Sequence, residues 1–255
     1  KPDFWDLFQA RLAGHATSYL TPSAYFGGEA IRALMMTTKN RSKSFASLVV
    51  DKSIEIISVI MFAVIGLGMA ISIFAFPNDY KLYLILSSSV VLLLALFVFR
   101  KLKQGLLMWI ICNLEKMKIK FKFLERHKEK IEETDEYISD FYIKQKKMFR
   151  LMFFFYSLLN LFWILEIHLT LVFIGTEEIT FLTSFIIVTL GIVGFLLPVT
   201  PAALGTYEIT YVALFSLMGL RIDLCLSLTI IRRFIALIWS GVGLLMIVLK
   251  KAGKN

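Results

Sequence analysis

Cysteine, histidine and proline are scarce in this chain of 255 residues, at two, three and five respectively. Cys112 and Cys225 are lone thiols with no partner pattern, so neither a disulfide framework nor a cysteine metal site is implied. The three histidines are scattered without HExxH or similar spacing, which removes the usual zinc-hydrolase reading. Acidic charge is also short: 28 Lys and Arg stand against 19 Asp and Glu, a net +9. Polarity is what the chain lacks most. It is 58% hydrophobic with a mean hydropathy of +0.74. A soluble domain of this size is excluded, and the class is polytopic membrane protein. Half of the 28 Lys and Arg lie between Arg100 and Arg150, and by the positive-inside rule that block is cytoplasmic. The chain starts at Lys1 without a methionine, so an upstream segment is expected.

What proline there is falls at telling places. From Thr180 to Leu220 the chain is almost wholly apolar and Glu208 is its one charged side chain, yet Pro198 and Pro201 sit in the middle. Each proline lacks an N–H and clashes with the preceding turn, so no straight helix passes through both. Broken backbone at membrane depth must be buried in protein or line a watery cavity. Thr200 can cap a new helix whose first residue is Pro201. The phrase also has a counterpart near the start, TPSAYFGGE at Thr21–Glu29 against TPAALGTYE at Thr200–Glu208. This reads as an internal repeat.

Taken in order, Phe4–Leu20 is amphipathic and need not cross the bilayer, and a second helix starts after Thr21-Pro22. The basic cluster Lys39, Arg41, Lys43 follows, so the pair reads as a hairpin that enters, breaks at Pro22 and returns to the cytoplasmic side. Ser44–Phe76 and Leu82–Phe99 are spans joined by an outer turn at Pro77-Asn78-Asp79. Arg100–Arg150 reads mostly as solvated charged helix near anionic lipid. Phe149–Ile174 crosses outward with Glu166 and His168, and Phe181–Leu220 forms the second broken hairpin. Leu224–Leu249 crosses inward to Lys250-Lys251. Three spans separate the hairpins, so they open to opposite sides. The expected fold is an all-α polytopic membrane protein: an inverted repeat with two broken re-entrant helix hairpins and about four full transmembrane helices. It is one membrane domain over 1–255, with hairpin and span at 1–76, the charged segment at 100–150, and span, hairpin and span at 149–249.

Two features could carry chemistry. Each broken hairpin places a helix N-terminus, Thr21-Pro22 or Thr200-Pro201, near the bilayer midplane, where free N–H groups suit an anion such as a lipid phosphate. The other feature is intramembrane charge, which costs a few kcal/mol or more unless paired or hydrated. Arg32 follows Glu29 on the same helical face. Arg232 and Arg233 lie roughly 13 Å into the last span, and nothing in their own helix neutralises them. Glu208 and Glu166 are the candidates to do so, a lipid phosphate another. Candidate substrate-binding residues are therefore Thr21, Pro22, Glu29, Arg32, Glu166, Thr200, Pro201, Gly205, Tyr207, Glu208, Arg232 and Arg233. The plainer reading makes these charges buried pairs that fix helix register, and makes Gly27, Gly28 and Gly205 close-packing contacts.

At TPSAYFGGEAIRALMM and LPVTPAALGTYEITYVALFSLMGL the chain resembles the lysylphosphatidylglycerol synthase transmembrane-region family of flippase-like membrane proteins. Pro22, Gly27, Gly28, Glu29 and Arg32 match that family's first signature. Pro198, Pro201, Leu204, Gly205, Glu208 and Gly219 match its second. Ala202-Ala203 depart from it, standing where glycines are common. The resemblance implies an integral protein, expected in a prokaryotic cell (inner) membrane, that moves lipids or lipid-linked molecules between leaflets. Some members carry a soluble domain that transfers lysine from charged tRNA to phosphatidylglycerol. Only KKAGKN follows Leu249 here, so no catalytic domain is expected.

The first reading is thus a flippase or transporter for a phospholipid or lipid-linked anion. The alternatives are the membrane part of a phosphatidylglycerol lysyltransferase system and a non-transporting lipid-binding scaffold. The expected partners are the lipid substrate and the membrane, with a homo-oligomer or a synthase partner left open. No enzyme activity, cofactor or nucleic-acid partner is expected.

Overall fold

The structure is a computed structural model that describes residues 3–21, 27–36, 40–74, 78–117, 127–175, 179–192 and 200–252. Among these, every regular element is a helix: α1 (Phe4–Leu20), α2 (Gly27–Met35), α3 (Arg41–Ile73), α4 (Asn78–Leu102), α5 (Leu106–Lys116), α6 (Lys128–Lys144), α7 (Lys146–Phe173), α8 (Phe181–Gly191), a 3-10 turn (Pro201–Ala203), α9 (Thr206–Leu217) and α10 (Ile222–Ala252). Four are long and apolar enough to cross a membrane, over Arg41–Ile73, Lys81–Leu102, Lys146–Phe173 and Ile222–Lys250. These are the four spans that hydropathy predicts. Pro22, Lys39 and Pro198 lie outside the described residues.

The chain forms two compact units, one of Lys1–Thr38, Ile65–Ala75 and Leu161–Asn255, the other of Lys39–Val64 and Phe76–Asn160. In the first unit α1 and α2 run antiparallel, and small residues let them touch. A Cβ on Gly28 would stand 1.8 Å from the Gly14 carbonyl oxygen, and one on Gly14 would stand 2.4 Å from Arg32 Cγ. The Gly28 N–H donates to Ser18 Oγ at 2.9 Å, so one donor of the α2 N-terminus is satisfied inside the hairpin. α10 packs along α1 by the same device, because a Cβ on Gly243 would stand 2.3 Å from the Leu12 carbonyl oxygen. Lys250, near the end of α10, donates to Asp6 Oδ1 and to the Met35 carbonyl oxygen, both at 2.8 Å. One ammonium thereby ties both ends of the hairpin and caps the C-terminus of α2.

In the second unit Ala46, Val50, Ile54, Leu102, Ile138 and Tyr142 form a core beneath the charged helix α6. Asp135 of α6 is buried and accepts from the Leu107 and Met108 N–H groups at 3.1 and 2.6 Å. It caps α5 from another helix. Burial pushes its carboxyl above the ordinary range, and those two donors pull it back. Polar contacts also link α3 to α7: Asn160 donates to Ser58 Oγ at 3.0 Å, and Tyr156 donates to Asp51.

The second hairpin differs from expectation in one respect. Thr200 makes no side-chain cap, and Pro201 opens only a single 3-10 turn. Ala202 and Ala203 are left-handed, at φ 56° and 50°, which no α-helix tolerates. The helix restarts at Thr206, with Gly205 as its N-cap at φ +87°. Gly205 has no neighbour within 4 Å of where a Cβ would be. Its role is conformational, not the close packing predicted for it. Gly191 is the close contact instead: a Cβ there would stand 2.5 Å from the Tyr211 ring, which seats α8 against α9. At a rise of about 1.5 Å per residue, helices of 11 and 12 residues reach roughly 17–18 Å, about half of a bilayer core.

Candidate functional site

The site begins with α10, whose apolar run brings Arg232 and Arg233 about 15 Å from the helix start. Adjacent helical positions point about 100° apart, so the two guanidiniums leave α10 toward different neighbours. Arg232 turns to α7. Its Nη1 donates to Glu166 Oε1 at 2.6 Å, and its guanidinium lies 5.8 Å from the centroid of the Trp163 ring. Arg233 turns to α9 and α1. It donates from Nε and Nη2 to Glu208 Oε1 at 2.8 and 2.6 Å, and from Nη1 to the Tyr19 hydroxyl at 3.1 Å. It also donates to the Ala202 carbonyl oxygen and, at 3.3 Å, to that of Ala203. These five bonds match the five N–H donors of a guanidinium.

Glu208 is the third residue of α9. Its Oε2 accepts from the Gly205 N–H at 2.8 Å, the carboxylate half of a capping box, while Oε1 holds Arg233. One N–H at the start of α9 is therefore taken by the helix's own carboxylate. Glu29 holds the same helical position as Glu208, the third residue, in α2. Its partner differs, because Arg32 of the same helix donates to it at 3.1 and 2.9 Å.

The two arginines open onto a cavity of about 270 Å³ lined also by His15, Tyr19, Glu166, Tyr207 and Trp239. Arg233 is saturated and stacks 5.6 Å from the centroid of the Tyr207 ring. The Glu166 side chain is 46% exposed while bonded to Arg232, so this pair faces open space. The arrangement can bind an anion at Arg232 by exchange with Glu166, whereas Arg233 holds backbone.

Of the predicted residues, Glu166, Tyr207, Glu208, Arg232 and Arg233 come together here, with Gly205 behind Glu208. Thr200 and Pro201 adjoin the turn that Arg233 holds. Thr21 ends α1, two residues beyond Tyr19, and Glu29 and Arg32 form their own pair away from the cavity. His168 bonds Ser184 Oγ at 3.0 Å and joins α7 to α8. Sequence reasoning missed His15, Tyr19, Trp163 and Trp239. The signal for the first two was present, since His15 and Tyr19 are four apart on one face of α1 and their rings stack at 6.3 Å.

No solved structure matches this chain. A UPF0104 membrane protein of Methanothermobacter thermautotrophicus is 23% identical over 246 residues, spanning 90% of this chain and 70% of that protein. The family described as Lysylphosphatidylglycerol synthase TM region matches residues 1–243, a span that holds both hairpins and every residue of the cavity. The chain is an integral, multi-pass membrane protein and belongs to the lysylphosphatidylglycerol synthase transmembrane-region family.

Proposed function

We propose that the protein moves an anionic lipid headgroup, of a phospholipid or a lipid-linked molecule, between leaflets, and that Arg232 takes the phosphate. The observation that carries this reading is the Arg232–Glu166 pair at the open side of the cavity. A charge pair inside an apolar helix bundle is costly to desolvate, and one left open there faces a watery cavity that a polar ligand can enter, unlike a pair sealed between helices. This one is not sealed. A phosphate presents the same oxygen geometry to a guanidinium as the carboxylate it displaces, so the exchange costs few hydrogen bonds. Glu166 then acts as a resident anion that keeps Arg232 compensated when no headgroup is bound. Tyr19, Tyr207 and Trp239 supply aromatic wall.

The test is lipid transfer in vesicles reconstituted with the full chain and fluorescent phosphatidylglycerol. Arg232→Gln removes charge-assisted bonds of about 1.5–3 kcal/mol, so transfer falls by roughly 10- to 100-fold while insertion and yield are unchanged. Glu166→Gln leaves Arg232 without its competing anion, and phosphatidylglycerol binds more tightly and is released more slowly. Transfer at the wild-type rate by Arg232→Gln would sink the reading.

A further inference from the structure

A surface of the second unit takes no part in the arginine site. α4 is a candidate span that ends on Arg100 and Lys101, and cations at the end of an apolar span mark the passage from hydrocarbon to headgroups. α5 starts directly after it. Gly105, left-handed at φ +93°, turns the chain, and Asp135 sets the direction of α5 by holding the Leu107 and Met108 N–H groups. The turn folds α5 back on α4. Trp109 meets Phe97 edge-on, with centroids 5.5 Å apart and planes at 76°. Phe97 belongs to the span, so Trp109 stands at the level of the span's last turns.

The cations follow the rings. Lys101 Nζ lies 5.1 Å over Trp109 and 5.8 Å over Phe97, and Lys103 Nζ lies 4.4 Å over Phe99. The ammonium groups thus sit over aromatic faces at the end of an apolar span, where a lysine meets both ring and headgroup. α5 buries only Ile111 among its residues and leaves Trp109 and Ile110 outward. Tryptophan and aliphatic side chains facing out beside a row of lysines are the composition of a helix lying in the plane of a bilayer surface.

We propose that α5 is an in-plane helix that binds an anionic leaflet, with Trp109 and Ile110 among the acyl chains and Lys101 and Lys103 on the lipid phosphates. The occupant is lipid and not an acidic protein, because the apolar side chains are pinned at the depth of a transmembrane helix end. The proposal uses no residue of the arginine site and stands whether or not the chain transports lipid.

The experiment places the full chain in phosphatidylcholine vesicles that contain acyl-brominated phosphatidylglycerol or acyl-brominated phosphatidylcholine as quencher. The Trp109 signal is the difference between wild type and Trp109→Phe. It is quenched by both lipids and more strongly by the anionic one. Each of Lys101→Gln and Lys103→Gln lowers the preference for phosphatidylglycerol about fivefold. Quenching by phosphatidylcholine persists in both variants, which shows that the helix remains inserted. A Trp109 signal that neither lipid quenches, or that both quench equally in wild type, overturns the proposal, as does an unchanged preference in both lysine variants.

Discussion

Arg233 holds a turn of strained backbone. Ala202 and Ala203 both lie in the left-handed region, which costs an L-residue with a side chain about 1–2 kcal/mol each. Their carbonyl oxygens are the ones Arg233 reaches. The two alanines are also where the family resemblance expects glycine, the residue that adopts this conformation without strain. Arg233→Lys retains the charge but not the planar fork, so most of the five bonds are lost. It should destabilise the protein by about 2–4 kcal/mol, read as a lowered thermal midpoint in detergent. Adding Ala202→Gly and Ala203→Gly relieves that strain against a smaller entropy cost and should recover part of the loss. If the glycines restore nothing, the turn does not depend on Arg233. The two ion pairs themselves were legible in the sequence, because a cation in an apolar run must find an anion and few were available. Tyr19 was legible only through its helical spacing from His15, since nine tyrosines in so aromatic a chain give no other reason to prefer one.

Helix contacts depend on where glycine meets backbone. Gly241 and Gly243 stand two apart on α10, yet a Cβ on Gly241 would meet nothing within 4 Å while one on Gly243 would meet the Leu12 backbone. Gly243→Ala should force α1 and α10 apart and cost about 1–3 kcal/mol. Gly241→Ala should stay within about 1 kcal/mol of wild type. Equal effects of the two substitutions on thermal stability would contradict the packing. Span lengths were readable from hydropathy, since the bilayer core sets how much apolar helix is needed. The restart of the second hairpin was not. Pro201 is a sound helix start by local rules, yet Ala202 and Ala203 turn left-handed and their carbonyl oxygens accept from Arg233, which is distant in sequence.

For the molecule as a whole, span counting assigns Lys43 and Arg221 to opposite faces of the membrane, and both ends of that argument are open to labelling. In a Cys112→Ser background, which removes the exposed native thiol, Lys43→Cys should react with an impermeant maleimide from the cytoplasmic face and Arg221→Cys from the other. Reaction of both from one face would rule out hairpins of inverted orientation. The last span has a further consequence. Arg232 and Arg233 ride on one rigid cylinder, one tethered to α7 and the other to α9 and α1. A turn of α10 about its own axis that draws Arg232 from Glu166 therefore also draws Arg233 from the Ala202-Ala203 turn, and the helix couples the two contacts as an axle couples its spokes.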